Sequence, residues 1–409
     1  MADLSFVRKD IIPERAAPLS ETGVIGWFRK NMFSDIPNTI LTIIVAYFII
    51  SVLGNILPWV FSPTWNSGSL TECRGILAEL GRSGHGGGGA CWGVIRERWL
   101  QLLFGFYPSE LYWRPILAFI LLGLALAPVL FDKASRKLLY LTAIYPFLCF
   151  WLIWGGSIWF PLTVFSGFIV SYLGYVYVNK IFGSLAGVIA SIALPIIWWL
   201  FITSPLSTLL QSIIPLGSES IDSDRLGGFM LAVLIGVTGI ALSLPIGILL
   251  ALGRQSNLPI LKAVCVCFIE FIRGVPLITL LFVASTLLNI FLPPGSNFDL
   301  ILRVMIMVTL FAAAYMAEVV RGGLAALPKG QYEAADSLGL DYWKAQRLII
   351  MPQALKISIP GIVSTFIGLF KDTTLVSIIG LLDPLGLSTN IRADMAWNGI
   401  LWELYGFVG

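Results

Sequence analysis

The side chains able to do covalent or metal chemistry are few and badly spaced for it. The single histidine, His85, sits in the run His85-Gly86-Gly87-Gly88-Gly89, a flexible linker composition, so no Ser–His–acid arrangement can be assembled around it. Cys265 and Cys267 lie in an apolar run with no second pair and no nearby histidine, which is not zinc-ligand spacing. With Cys149 they read as small membrane-buried side chains. No Gly-x-x-x-x-Gly-Lys-[Ser/Thr] occurs, and the nearest approach, 323–330, ends in Lys329-Gly330, the wrong order for cradling phosphate. No catalytic centre, metal or cofactor is expected in this chain.

What remains is charge in unusual places. Lys371 and Asp372 interrupt the apolar run 357–382, where ionisable groups cost several kcal/mol unless they face protein or water. Neighbours in sequence point about 100° apart on a helix, so they cannot fully satisfy each other. Either both pair with other helices, or one lines the route of a zwitterionic or acidic substrate. Thr373 and Thr374 could ease a helix break there by bonding freed backbone groups. Glu270/Arg273 and Glu318/Arg321 each stand at i, i+3, a spacing that suits structural ion pairs and also a gate.

Those residues must be held by helices in a bilayer. Only 12% of residues are charged and 57% are hydrophobic, with a mean hydropathy of +0.88, more apolar surface than a soluble fold can hide. The net charge of +3 is too weak to suggest nucleic acid. Nine runs approach the length of a spanning helix: 39–61, 115–131, 138–160, 162–178, 181–202, 228–252, 263–292, 300–320 and 357–382. The second and fourth are short, and Pro161 alone separates the third from the fourth, which predicts a tight hairpin there. The polar start of the chain has no cleavable signal pattern.

Short-loop cations set the orientation. Arg29 and Lys30, then Lys133, Arg136 and Lys137, then Lys180, then Arg254 and Lys262, and finally the loop 321–356 all fall on one side if every run spans, and that side is cytoplasmic. The loop 62–114 lies opposite, and within it 91–106 has the pattern of a helix lying on the membrane surface. Cys73 and Cys91 share that loop, in an oxidising compartment, and are expected to form a disulfide.

The loop 321–356 is the one patterned cytoplasmic segment. Glu333 to Leu338 favours a short helix, Gly339 is a C-terminal stop, and Asp341 caps a second helix expected to end near Pro352. Ala334, Ala335 and Leu338 group on one face of this elbow. Glu333, Ala334, Ala335, Gly339, Ile349 and Pro352 match at full spacing the EAA loop of permease subunits of bacterial ABC importers, with Met351 in place of the usual Leu. From about 228 onward the chain resembles the polar amino acid branch of that family (histidine, glutamate, glutamine, arginine and opine importers). Glu270-Phe271-Ile272-Arg273-Gly274-Val275-Pro276, Ala317 to Gly323 and Lys371 to Val376 carry that likeness. It is most similar to the glutamate/glutamine/aspartate/asparagine importer subunits that have extra N-terminal helices.

The resemblance implies an all-α integral membrane protein of the inner membrane, with a type I importer-like core preceded by about five additional transmembrane helices. It divides the chain into a cytoplasmic segment 1–36, an additional membrane region 37–226 with the periplasmic loop 62–114, and a permease core 227–409. The apolar, aromatic stretch before Gly409 suggests one more helix beyond it. The implied partners are a homologous permease subunit, two ATP-binding subunits docked on the EAA loop, and a periplasmic amino-acid-binding protein. The competing class is a self-sufficient secondary amino acid transporter or channel, a class that often shows inverted repeats; no convincing repeat is present.

Overall fold

A computed structural model of the protein describes residues 23–82, 88–131, 133–287, 290 and 299–409. The start of the chain through residue 22, His85 with Gly86 and Gly87, Asp132, and most of the stretch toward 292 lie outside the described residues. Among the described residues seven helices are long and apolar enough to cross a membrane, or eight if one bent pair, Pro259–Gly274 with Leu277–Leu287, is counted as a single span. The chain forms two compact units, Met1–Arg96 and Glu97–Gly409.

The first unit holds α1 (Gly23–Asn31), the long apolar α2 (Ile36–Val60) and α3 (Leu70–Glu79). Asp35 caps α2 by accepting from the Asn38 amide, with Pro37 in the first turn where a missing N–H costs nothing. At the other end the orphan carbonyls of α2 are met from one loop. Arg82 donates to Pro58, the Ala90 amide to Trp59, and the Trp92 indole to Val60. Trp92 stacks on Trp65 and meets Trp59 edge-on, and a disulfide joins Cys73 to Cys91, with Cα atoms 5.9 Å apart.

The second unit takes in most of α4 (Gly93–Phe104), which lies where a surface helix was expected, and then α5 (Trp113–Leu130), α6 (Leu138–Trp154), α7 (Trp159–Phe182), α8 (Ser184–Ile197) and α9 (Thr203–Ile213). The expected hairpin at Pro161 is not there. Gly155 and Gly156, at φ 69° and 79°, make the turn, and Pro161 lies in the first turn of α7. The short span is therefore the third, 17 residues in α6, while the second and fourth runs belong to helices of 22 and 24 residues. After the turn, β1 (Gly156–Ser157) pairs with β2 (Gly217–Ser218), a small departure from an all-helical chain. Small residues let helices approach: Gly167 receives the Trp199 ring and Gly174 the Leu194 side chain, with no room for a Cβ at either.

The remaining elements are α10 (Gly228–Gln255), α11 (Pro259–Gly274), α12 (Leu277–Phe282), α13 (Leu300–Ala325), α14 (Lys329–Ser337), α15 (Tyr342–Ala345), α16 (Met351–Asp372), α17 (Pro384–Ala393) and α18 (Trp402–Val408). Gly239 of α10 lies against Val308 and Leu369, and Gly247 against Met316, which brings α10, α13 and α16 together. The run 263–292 is not one straight helix: α11 and α12 meet at 101°, because Pro276 offers no N–H and drives Val275 out of helical geometry. Buried Arg303 donates to the Ala284 and Ser285 carbonyls of the π turn that follows α12. Pro352 ends nothing. A π turn, Gln346–Ile350, widens the ladder just ahead of it, and the helix continues from Tyr342 to Ile379.

Candidate coupling elbow, charge cluster and membrane cleft

The elbow forms from two complementary end signals. At the end of α14 the Gly339 amide donates to Asp336 and the Leu340 amide to Ala335, with Gly339 at φ 68°. This is the Schellman arrangement, which favours glycine at that position. Two residues later Asp341 accepts from the Lys344 amide at 3.0 Å and pairs with the Lys344 ammonium, also at 3.0 Å. The Lys344 amide and then its side chain hold the Asp341 carboxyl below the usual carboxylate range.

The elbow's faces differ from the expected grouping. Ala335 is buried, whereas Ala334 and Leu338 are exposed. Gln353 donates to Gln331 and ties α14 back onto α16, while Tyr332 packs against a cluster containing Leu252, Ile269, Leu324 and Ile350. Leu338, Tyr342, Trp343 and Leu348 point outward, with Leu338 71% and Trp343 66% exposed. The elbow thus presents large apolar side chains outside the chain while its inner face is rooted in the core. Glu333 is exposed, Ile349 is half-buried, and Pro352 stands at the joint with the long helix.

The pairs Glu270/Arg273 and Glu318/Arg321 merge into one cluster across α10, α11 and α13. Arg254 joins them at 2.7 Å from Glu270 and 2.9 Å from Glu318. Arg321 reaches Glu318 at 2.9 Å, whereas Arg273 stays 3.9 Å from Glu270 and 3.8 Å from Glu318. Arg254 was missed as a member because, read as a sequence, it is only another loop cation. Its partners are 16 and 64 residues away, and helix packing alone brings them together.

Lys371 and Asp372 part company. Asp372 lines a cleft of about 250 Å³ with Phe311, Tyr315, Thr365 and Gly368, between α13 and α16. Lys371 is exposed and has no ion pair among the described residues. The α-helix ends at Asp372 and tightens into a 3₁₀ turn, Thr373–Ile379, where Thr373 donates to the Phe370 carbonyl and Thr374 to that of Lys371. No group of three or more His, Cys, Asp or Glu able to hold a metal exists among the described residues.

Comparison with known proteins agrees with this architecture. The family described as binding-protein-dependent transport system inner membrane component matches residues 243–405. The glutamate/glutamine/aspartate/asparagine transport system permease protein BztC of Rhodobacter capsulatus is 58% identical over 409 residues, all of this chain and 94% of that protein. The inner membrane amino-acid ABC transporter permease protein YhdY of Escherichia coli is 37% identical over 399 residues, 97% of this chain and 90% of its own length. The probable glutamine ABC transporter permease protein GlnP of Bacillus subtilis matches over 156 residues, 38% of this chain, at 35% identity. The region before residue 243 is therefore shared with the two long relatives. The chain is a multi-pass inner-membrane protein and belongs to the family of ABC transporter permeases, the membrane components of binding-protein-dependent transport systems.

Proposed function

We propose that the chain forms one half of the passage of an importer for polar and acidic L-amino acids, glutamate, glutamine, aspartate and asparagine among them. A homologous permease subunit completes the passage, two separate subunits hydrolyse ATP, and a periplasmic binding protein delivers substrate. The substrate class rests on the full-length likeness to a permease so named. The observation that carries the coupling role is the elbow itself: a helix stopped at Gly339, an outward apolar face, and a second arm continuous with a 38-residue helix. That helix is about 55–60 Å long, roughly twice the hydrocarbon thickness, so a push on the elbow reaches the membrane along a stiff rod.

In this reading Glu333, Ala334, Ala335, Gly339, Ile349 and Pro352 belong to the docking and lever surface, and Asp372 and Lys371 to the passage. Segment 1–36 and the elbow are cytoplasmic, 37–226 is the additional membrane region, and 227–409 is the permease core. The test is ATP-driven uptake in proteoliposomes containing all subunits, screened across labelled amino acids. Gly339→Arg and Glu333→Lys are expected to leave the chain inserted and to abolish uptake; a Cβ at Gly339 would meet no non-adjacent atom within 4 Å among the described residues, so harm there must come from backbone strain or from the docked partner. Normal uptake by either variant would overturn the docking role.

A further inference from the structure

α4 precedes the permease core by more than a hundred residues, yet it meets the chain at both ends of α17. Past the last residue of α17, Arg98 donates to Asp394 at 2.7 Å. The other carboxylate oxygen of Asp394 accepts from the Ala396 amide at 2.9 Å, so one side chain shapes the turn after α17 and receives Arg98. The indole of Trp397 in the same turn is fully buried and donates to Glu97 at 3.2 Å. A half-exposed ion pair alone holds little, but here a second contact, rooted in a buried ring, fixes the same turn.

Before α17 the link runs through the start of α10. The Phe106 amide donates to the Arg225 carbonyl, and a Cβ on Gly228 would strike the Leu102 carbonyl. The Gly228 amide donates to Leu382 at 2.7 Å, and Pro384 opens α17 two residues later. α4 itself is firmly footed. Leu102 and Phe104 are buried, and Phe104 belongs to a cluster with Leu152, Leu226 and Met230 that joins the additional helices to α10.

The place that α4 holds matters to the elbow. The helix that carries the elbow runs to Ile379, and only residues 380–383 separate it from α17. The elbow and α17 therefore stand at opposite ends of one rod about 55–60 Å long. A rod pushed at one end and free at the other shifts bodily; with the other end held, it tilts.

We propose that α4 anchors the end of this lever remote from the elbow, with Arg98 and Glu97 as positioning residues that hold the turn after α17 so that a push on the elbow becomes a tilt of α16. This rests on the coupling role proposed above and gives the additional region a part in it.

The experiment measures uptake per ATP hydrolysed in proteoliposomes carrying the complete complex, with whichever of labelled glutamate, glutamine, aspartate and asparagine the wild type imports fastest. Arg98→Gln is expected to lower that ratio about threefold or more, the scale of one such pair, and Arg98→Lys to keep most of it. Asp394→Asn, which retains an acceptor for the Ala396 amide, should match Arg98→Gln. The double variant should be no worse than either single one, since two residues acting through one contact are not additive. A ratio equal to that of the wild type in Arg98→Gln, including uptake and hydrolysis that fall in proportion, would overturn the anchor, as would losses that multiply in the double variant. Should Arg98→Gln not assemble, Glu97→Ala, at an exposed position, decides alone: a lowered ratio supports the anchor and an unchanged one rejects it. Normal uptake by Gly339→Arg would remove the coupling role and the anchor together, whereas blocked uptake there with an unchanged ratio in Arg98→Gln removes the anchor only.

Discussion

Glu318 answers to Arg254, Arg273 and Arg321 at once, from a helix packed on both α10 and α11. Removing its charge leaves Glu270 alone against three cations in a half-buried setting. Glu318→Gln is therefore expected to destabilise the purified complex by about 2 kcal/mol, a typical value for a lost charged hydrogen bond, seen as a lower thermal midpoint; an unchanged midpoint would show the cluster to be ornamental. Asp383 is a different case. It caps α17 by accepting from the Gly386 amide, it is fully buried, and its second carboxyl oxygen has no partner among the described residues. Burial pushes its carboxyl above the ordinary range. A raised folded value favours the protonated form, so its stabilising contribution is complete below the ordinary carboxylate value and is lost as pH rises through the folded one. Asp383→Asn should flatten the pH dependence of the thermal midpoint above the ordinary carboxylate value, raising the midpoint on the alkaline side only. An unaltered pH profile would contradict this.

At the scale of elements, two structures concentrate function into short stretches. The elbow depends on Asp341 to start its second arm, and the depressed carboxyl there is the folded-state preference for the charged cap. That contribution is present above the ordinary carboxylate range and fades as pH falls through the folded value. Asp341→Ala should cut ATP-coupled uptake severalfold while Asp341→Asn, which keeps a cap acceptor, retains most of it; equal uptake in both would remove the cap from the coupling route. The loop that follows α2 is held by the Cys73–Cys91 bridge, which closes an 18-residue separation. The chain-entropy estimate gives such a loop about 3 kcal/mol. Non-reducing peptide mass spectrometry should recover the linked pair, and Cys73→Ser with Cys91→Ser should make the segment readily cleaved by added protease. Two freely alkylated thiols in the native protein would contradict the bridge.

At the scale of the whole molecule the cationic loops alternate with the others along the chain, and this makes a topological prediction. A reporter fused after Lys137 or Gly330 should be cytoplasmic, and one after Glu219 periplasmic. A periplasmic reporter at Gly330 would place the elbow on the wrong side for an ATPase and undo the coupling scheme. This parity requires the bent α11–α12 pair to cross once and the short α6 to span. Its 17 residues give about 25 Å of helix, close to the minimum for crossing. Its far end is secured by Tyr107, whose hydroxyl donates to the Ile153 carbonyl, and by the Arg114 contact to the Glu219 carbonyl beside the β1–β2 ladder.

Membrane class, nearly every long helix, the elbow's stop at Gly339 and start at Asp341, and the permease family were all legible along the chain. Each depends on interactions within a few residues or on a run of apolar side chains, and lipid enforces helices wherever such runs occur. The turn at Gly155–Gly156, the bend at Pro276 and the passage of a helix through Pro352 were not legible. In each case the outcome depended on local backbone geometry that a hydropathy run does not reveal: the positive φ of Gly155 and Gly156, the extended Val275 before Pro276, and the π turn ahead of Pro352. The convergence of Arg254 with Glu270 and Glu318, the outward turn of Leu338, and the separation of Asp372 in a cleft from exposed Lys371 were decided only by tertiary packing. A charge in a sequence has a sign and a depth, but its partner is set by which faces of α10, α11, α13 and α16 the small residues allow to meet.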